Sequence, residues 1–251
     1  LDSKSFIEDA TRIIRAIRYS VRLGFCIEPE TETLMKQHLR YIDTIHGDRL
    51  SNELMKVFRE IRVSSILMLA HNTGVLQAIF PTLKVHPQLI RKLEQDVDSR
   101  DDNIDMIFLS VLSFNLSFNE RQGFIRRLNM TKRHARAVID TGVIKCILDQ
   151  LSSRDMKNSV LFRLLKDVDI AAIRGSKLAV QNELIAKRLH LFEGELRHYK
   201  PKLDGNDLLQ LGVPQGEIVG QILWKLTEGG LDGTIKTIQD EINVVRCRLQ
   251  L

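Results

Sequence analysis

Apolar residues recur with helical spacing along almost the whole chain. Near the start, Ile13, Ile17 and Val21 lie four residues apart, so they would share one face of a helix. The same spacing recurs over residues 48–60 and, more weakly, over 30–41. Residues 104–116 are apolar on nearly all sides, as expected of a buried core helix. The pattern predicts an all-α protein, and the absence of a fixed repeat favours an irregular multi-helix array over a solenoid.

Proline and helix-capping residues mark where these helices begin and end. Pro81 ends a strongly apolar helix that begins at Ser64, and the polar run 96–105 predicts a loop. Thr131 is a plausible N-cap for the helix that follows it, and Asp204-Gly205-Asn206-Asp207 supplies a turn and an N-cap candidate before Leu208. Further helices are predicted over 83–93, 119–128, 131–150, 153–168, 169–192 and 216–228.

The first helix carries the most distinctive pair of side chains. Ser5 and Glu8 have the spacing of a capping box, which predicts a helix that starts at Ser5 and carries Asp9 and Arg12 one turn apart on one face. An ionised Asp only accepts hydrogen bonds, whereas an Arg only donates them. The pair matches a base edge with a donor beside an acceptor, as in cytosine and adenine, and mismatches the reverse order of guanine and uracil.

Arginines form a stripe along the same helix. They are spaced three, three and four residues apart, at Arg12, Arg15, Arg18 and Arg22. The net charge of +5 is too mild to indicate a polyanionic partner by itself. Four arginines without an interleaved lysine nevertheless favour phosphate contacts, because guanidinium forks match phosphate oxygens. A solvated basic face is the alternative.

A second group of cations surrounds a predicted turn at residues 129–131. It comprises Arg121, Arg126, Arg127, Lys132, Arg133, His134, Arg136 and Lys145. Two helices that meet at this turn would bring positive charge from both to one surface, which favours contact with an RNA backbone. An exposed turn without a ligand is the alternative.

Composition narrows the class of protein. The three cysteines, Cys26, Cys146 and Cys247, are isolated, so neither a disulfide framework nor a zinc site is expected. No apolar run approaches the ~18 residues of a membrane span, and acidic residues near the start argue against a signal peptide. We therefore expect a cytoplasmic protein with no membrane contact.

The motifs of the first sixty residues resemble a known family. Glu8-Asp9-Ala10-Thr11-Arg12 looks like the Glu-Asp-x-x-Arg neck motif of class II tRNA nucleotidyltransferases (CCA-adding enzymes) and bacterial poly(A) polymerases. The similarity continues through Arg15-Ala16-Ile17-Arg18-Tyr19, Arg22-Leu23-Gly24-Phe25, residues 27–31 and Asp48-Arg49-Leu50 with Glu53, Leu54 and Lys56. It weakens through the middle of the chain and returns at residues 204–209 and 211–216.

This resemblance implies roles for particular residues. Asp9 and Arg12 would read the Watson–Crick edge of CTP or ATP, while Glu8 and Glu53 would support local geometry. Phosphate or RNA contacts are expected from Arg15, Arg18, Arg22, Arg49, Arg126, Arg127 and Arg133. The partners would be CTP, ATP and the 3′ end of tRNA or another RNA. The chain would divide into a neck (1–62, with the base-reading and RNA-binding helices), a helical body (63–150) and a helical tail (151–251).

The family's chemistry belongs to a head domain, in which an Asp-x-Asp pair holds magnesium ions. That head would lie before Leu1, so the chain is expected to be a piece of a longer enzyme that is inactive alone, with no catalytic residue and no metal of its own. Asp96-Val97-Asp98 lacks a strand pattern and is interpreted as part of a loop. The parent enzyme would add nucleotides to RNA without a template, by attack of the RNA 3′ hydroxyl on the α-phosphate of CTP or ATP.

Two other classes remain open from the sequence. The first is a non-catalytic helical RNA-binding domain. The second is a helical scaffold for protein partners, in which the basic stripe is merely solvated. Within the family, CCA addition, CC or A addition and poly(A) addition share the neck motif, so the sequence does not separate them.

Overall fold

The computed structural model describes residues 4–85, 89, 92 and 101–249, and within these ranges the chain is helical, with no strand. The prediction of an all-α fold is confirmed. The helices are α1 (Ser5–Glu8), α2 (Thr11–Leu23), α3 (Pro29–Gln37), α4 (Gly47–Phe58), α5 (Val63–Asn72), α6 (Val75–Ile79), α7 (Ile104–Ser113), α8 (Phe118–Arg127), α9 (Lys132–Cys146), α10 (Leu148–Leu151), α11 (Asn158–Leu165), α12 (Ile170–Ala179), α13 (Glu183–Gly194), α14 (Gly205–Gln210), α15 (Glu217–Leu231) and α16 (Ile238–Leu249), with 3₁₀ turns at Leu39–Thr44 and Leu196–His198.

The chain forms two compact units, of which the first comprises Leu1–Ile147 and Val168–Gln181. Every residue of α7 is buried, and this helix packs against α4, α9 and α12. Gly175 of α12 permits the closest approach, because a Cβ there would lie 2.5 Å from the Cβ of Ser110. The apolar run at 104–116 was therefore correctly predicted to be a core helix.

The N-terminal helices of this unit position the candidate site. Ile13, Ile14 and Ile17 of α2 are buried, and α2 packs against α4 and α5. This burial leaves the opposite side of α2 open to solvent, including Arg15 and Arg22. The apolar spacing of α2 thus decides which of its charged residues reach the surface.

The second unit comprises Leu148–Asp167 and Asn182–Leu251. Phe162 of α11 lies between the rings of Phe192 and Trp224, at centroid distances of 6.1 and 6.2 Å. Buried Glu241 of α16 accepts the backbone amides of Lys202 and Leu203 at 2.9 and 2.7 Å, which ties α16 to the residues just before α14.

Helix boundaries show where sequence patterns succeed and fail. Thr131 caps its helix as predicted, and within the predicted turn at 204–207 the capping residue is Asp204, each side chain accepting backbone amides of the helix that follows. The predicted helix 64–80 is instead broken at Gly74, whose φ of +81° is left-handed, and the predicted helix 169–192 is broken between α12 and α13. Asp96-Val97-Asp98 and most of the helix predicted at 83–93 lie outside the described residues.

The division into 1–62, 63–150 and 151–251 remains a prediction, because packing units need not coincide with functional segments. Among the described residues, no helix is long and apolar enough to cross a bilayer.

Candidate functional site

The start of the chain differs from the continuous helix that the capping-box spacing predicted. Helix α1 ends at Glu8, Asp9 has extended backbone angles (φ −147°, ψ 96°), and α2 begins at Thr11. The capping box is also wrong, since Ser5 is the first residue of α1 and its hydroxyl bonds to Arg12 rather than to a backbone amide. An Asp side chain that bonds the amide two residues ahead competes with helix continuation, which explains the break.

Thr11 and Arg49 hold the carboxylate of Asp9. Its Oδ1 accepts the Thr11 amide at 3.1 Å, the Thr11 hydroxyl at 2.6 Å and Nη2 of Arg49 at 3.1 Å. Three donors therefore converge on one oxygen. We name this arrangement, Thr11 and Arg49 around Oδ1 of Asp9, the carboxylate clamp.

The clamp fixes the charge state of Asp9. Burial raises the pKa of this carboxyl, but the hydrogen bonds from Thr11 and the positive charges of Arg49 and Arg12 outweigh burial, so the pKa lies below its ordinary value of 3.8. Asp9 is therefore ionised at neutral pH. Its second oxygen, Oδ2, accepts no hydrogen bond from the described residues, and a quarter of the side chain is exposed (25%).

Arg12 is held from the other side of the break. Its Nη1 donates to the carbonyl and the hydroxyl of Ser5 at 3.0 and 2.7 Å, and lies 3.7 Å from the Glu8 carboxylate. Within the described ranges, its Nε and Nη2 have no hydrogen-bond acceptor. Arg12 and Asp9 make no hydrogen bond to each other, yet each keeps an unused group, a donor on Arg12 and an acceptor on Asp9.

The arginine stripe is not uniform. Arg15 and Arg22 are exposed, and the Arg49 side chain is 61% exposed although it reaches Asp9. Arg18 is buried: its guanidinium lies 3.8 Å from Glu53 and 3.6 Å from Glu60, with the side chain only 7% exposed. Its placement in one stripe with the other three was therefore wrong, because the carboxylates of Glu53 and Glu60 lie under that side of α2.

The two predicted supporting carboxylates lie in different surroundings. Glu8 is 65% exposed, and among the described residues Arg12 alone forms an ion pair with it. Glu53 is buried and pairs with Lys56 at 2.7 Å and with Arg18. Glu53 is thus part of a buried ion network beneath α2, which Glu60 completes by pairing with Arg18 and Arg22.

The cations of the second cluster mostly bond within their own unit. Arg127 donates to the carbonyls of Ile42 and Ile45 at 2.7 and 3.0 Å, which clamps the 3₁₀ turn. Arg133 donates to Asn103 at 2.8 Å, and buried Arg121 reaches only the Phe114 carbonyl, at 3.4 Å. Of the three arginines that the sequence suggested for RNA contact, only Arg126 is exposed without a bond to another described side chain or carbonyl.

The described residues do not provide the ligands for a magnesium site like that of the family which this chain resembles. Among them, no three His, Cys, Asp or Glu side chains lie close enough together to hold a metal ion. A second Asp-x-Asp, at 167–169, follows α11, and there Asp169 caps α12 by accepting the Ala171 amide at 2.8 Å.

Sequence reasoning missed several residues of the site. Thr11 follows Asp9 by two positions, a spacing typical of a side chain that bonds the backbone just ahead, so the helix break was open to prediction. Glu60 lies seven residues after Glu53 and, like Glu53, faces Arg18. The Arg49–Asp9 contact spans 40 residues, and no local pattern reveals it.

The chain is similar in sequence to known tRNA-processing enzymes. Residues 24–86 match the family described as the probable RNA and SrmB-binding site of polymerase A. The A-adding tRNA nucleotidyltransferase of Geobacter sulfurreducens is 25% identical over 97% of this chain and 30% of its own length. The CCA-adding enzyme of Lactobacillus gasseri is 25% identical over 92% of this chain and 57% of its own length.

Solved structures share the fold. The Thermotoga maritima CCA-adding enzyme complexed with tRNA superposes with a TM-score of 0.78 and 24% identity, over 99% of this chain and 63% of that one. A CCA-adding enzyme complexed with CTP gives the same TM-score over 62% of its chain.

The chain thus spans from about a third to three fifths of the length of these relatives. The family match begins at residue 24, after Asp9 and Arg12, and so does not test them. The resemblance indicated by the first helices is confirmed: residues 24–86 match the RNA-binding family model, and nearly the whole chain is similar to tRNA nucleotidyltransferases.

Proposed function

We propose that the N-terminal helices of this chain select the nucleotide and contact the RNA in an enzyme that adds nucleotides to RNA 3′ ends without a template. The clamped carboxylate of Asp9 carries the proposal. It is ionised, its Oδ1 is occupied by three donors, its Oδ2 accepts no hydrogen bond from the described residues, and the charge of nearby Arg12, which keeps unused donors, helps to lower its pKa. Such an arrangement presents a fixed acceptor next to a donor.

The donor and acceptor order decides which bases fit. Oδ2 of Asp9 accepts from the exocyclic amino group of cytosine or adenine, while Arg12 donates to the adjacent ring nitrogen. Guanine and uracil present an oxygen to the carboxylate and a ring N–H to the guanidinium, so both protein groups would face a like partner. CTP and ATP are therefore the proposed nucleotides.

The remaining cations provide contacts that carry no base information. Arg15, Arg22 and Arg49 are exposed on or near α2, and Arg126 is exposed at the end of α8. They suit phosphate oxygens of the nucleotide or of the RNA, which the relatives' names suggest is tRNA. Magnesium and the reacting carboxylates would come from outside the described residues.

Equilibrium binding of CTP, ATP, UTP and GTP to this chain tests the proposal. The wild type should prefer CTP over UTP and ATP over GTP. Asp9→Ala should reduce each preference by about 1–3 kcal/mol, or roughly five- to 150-fold, because the exocyclic amino group loses its acceptor. Asp43→Ala, at an exposed carboxylate of the same unit, is the control and should change neither preference.

Equal weakening of all four nucleotides by Asp9→Ala would contradict base reading. It would assign Asp9 to the helix break alone. The alternative of a non-catalytic RNA-binding domain predicts no nucleotide preference in the wild type.

A further inference from the structure

A cleft rich in arginine opens beside the C-terminal half of α2, separate from the carboxylate clamp. Its volume is about 750 Å³, within the roughly 300–1,000 Å³ typical of ligand clefts. It lies between α2 and the turn that joins α4 to α5, and its lining consists of Arg18, Arg22, Lys56, Arg59, Glu60, Ile61, Arg62 and Ile66.

The charges of this cleft are layered. The carboxylates are the more buried groups: Glu60 of the lining is 17% exposed, and Glu53, which pairs with Arg18 and Lys56 of the lining, is 10% exposed. The cations lie at the rim, with Arg22, Lys56 and Arg59 exposed by 56%, 55% and 66%. The buried carboxylates anchor the rim cations, while the exposed guanidinium and ammonium groups face solvent.

One unpaired cation and one apolar side chain lie side by side at the rim of the cleft. Arg62 is exposed and pairs with no carboxylate of the described residues. Ile61 beside it is 88% exposed, which places an apolar side chain among the cations. A ligand that suits both is anionic along one edge and apolar along another.

An aromatic ring extends this surface along α2. Tyr19 is 37% exposed and lies between Arg15 and Arg22 on the helix surface. The guanidinium of Arg18 lies 4.7 Å from the centroid of the Tyr19 ring, which holds the ring from one side. A hydrogen bond from Arg18 and its charge also lower the pKa of the Tyr19 hydroxyl.

A basic groove with an accessible aromatic ring is the combination that binds single-stranded nucleic acid, since the cations follow the phosphates while a base stacks on the ring. We propose that this cleft, together with Tyr19, binds a single-stranded segment of RNA, with a base on Tyr19 and the backbone across Arg22 and Arg62. The inference rests on the proposed role in RNA contact and adds its location. A paired RNA helix keeps its bases stacked on one another and cannot use Tyr19 in this way.

The test is binding of labelled single-stranded RNA to the 251-residue chain, measured by anisotropy over a range of salt concentrations. Arg22→Gln with Arg62→Gln should weaken binding about tenfold or more at low salt and reduce the salt slope by roughly 1–2, as expected when two phosphate contacts are lost. Tyr19→Leu should weaken the single strand several-fold while duplex RNA of the same sequence is unaffected.

The matched control removes two exposed cations from the second unit, Lys187→Gln with Arg246→Gln, and so produces the same change in net charge. Equal weakening by the control and the cleft variant would overturn the cleft, because only overall charge would matter. Absence of RNA binding by the wild type would instead overturn the proposed RNA contact itself. Circular dichroism and thermal unfolding of each variant confirm that the fold is intact.

Discussion

Two groups of arginines look alike in the sequence and differ in the structure. On α2, Arg15 and Arg22 keep their guanidinium groups at the surface, while Arg18 pairs with carboxylates below. In the second cluster, Arg127 and Arg133 donate to acceptors of their own unit. The contrast shows that the acceptors already bonded to an arginine, and not the number of arginines, decide how much positive charge a ligand meets.

Arg18→Ala should have the largest effect of any change in either group. It removes the cation shared by buried Glu53 and half-buried Glu60, which keep only Lys56 and Arg22 respectively, and breaking a buried ion pair from one side costs up to about 3–5 kcal/mol. Urea unfolding measures the loss. Arg15→Ala, on the exposed side of the same helix, should change stability by less than about 0.5 kcal/mol. A stable Arg18→Ala variant with weakened nucleotide binding would restore Arg18 as a phosphate contact.

Arg127→Ala should come next in size. It removes two charge-assisted hydrogen bonds to the carbonyls of Ile42 and Ile45, at a cost of about 2–4 kcal/mol. Gly47 indicates how tightly these segments pack, because a Cβ there would lie 2.9 Å from the Arg127 carbonyl oxygen. Unchanged urea stability together with weaker RNA binding would contradict the structural role.

Arg126→Ala separates the functional from the structural part of the second cluster. Because Arg126 is exposed, its loss should leave unfolding unchanged and lower the salt slope of RNA binding by about 1 if it contacts a phosphate. Arg127 is left in place in this variant, because its loss would also lower stability and so obscure the effect on RNA binding. An unchanged slope would remove the second cluster from the RNA path.

The buried faces explain why so much of the fold was predictable. Ile13 and Ile17, the apolar run of α7 and the capping residue Thr131 are local signals, and each element formed where its pattern indicated. The site depended on contacts between distant segments. Arg49 reaches Asp9 from 40 residues away, and no spacing along one helix encodes that contact.

The fate of Arg18 has a similar cause. Helical spacing placed it on the basic stripe, but α4 supplies Glu53 and the residues that follow α4 include Glu60, and these carboxylates lie under that side of α2. The spacing of residues along one helix does not show which side chains of neighbouring helices will pack against them. The sequence therefore identified the candidate residues, while packing decided which of them remain exposed.

A smaller effect concerns pH. Burial lowers the pKa of His134 below its ordinary value of 6.5, although the charge of Asp105 opposes this and Arg133 and Arg59 add to it. Below pH 6.5 the unfolded chain therefore binds a proton more readily than the folded chain, so the free energy of unfolding should fall slightly as the pH drops from 7 to 5. His134→Gln should flatten that part of the pH profile, and an unchanged profile would contradict the shift.

Base reading by the clamped carboxylate of Asp9 is the central proposal, and the variant Asp9→Asn tests it most directly. Three donors converge on the position of Oδ1, so the amide oxygen must take that position and the amide nitrogen must replace Oδ2, the proposed acceptor for the base. An acceptor is thereby replaced by a donor with almost no change of shape. The affinity ratios of CTP to UTP and of ATP to GTP should each fall at least about tenfold, equivalent to about 1.4 kcal/mol. Ratios that remain at the wild-type values would show that Asp9 does not read the base.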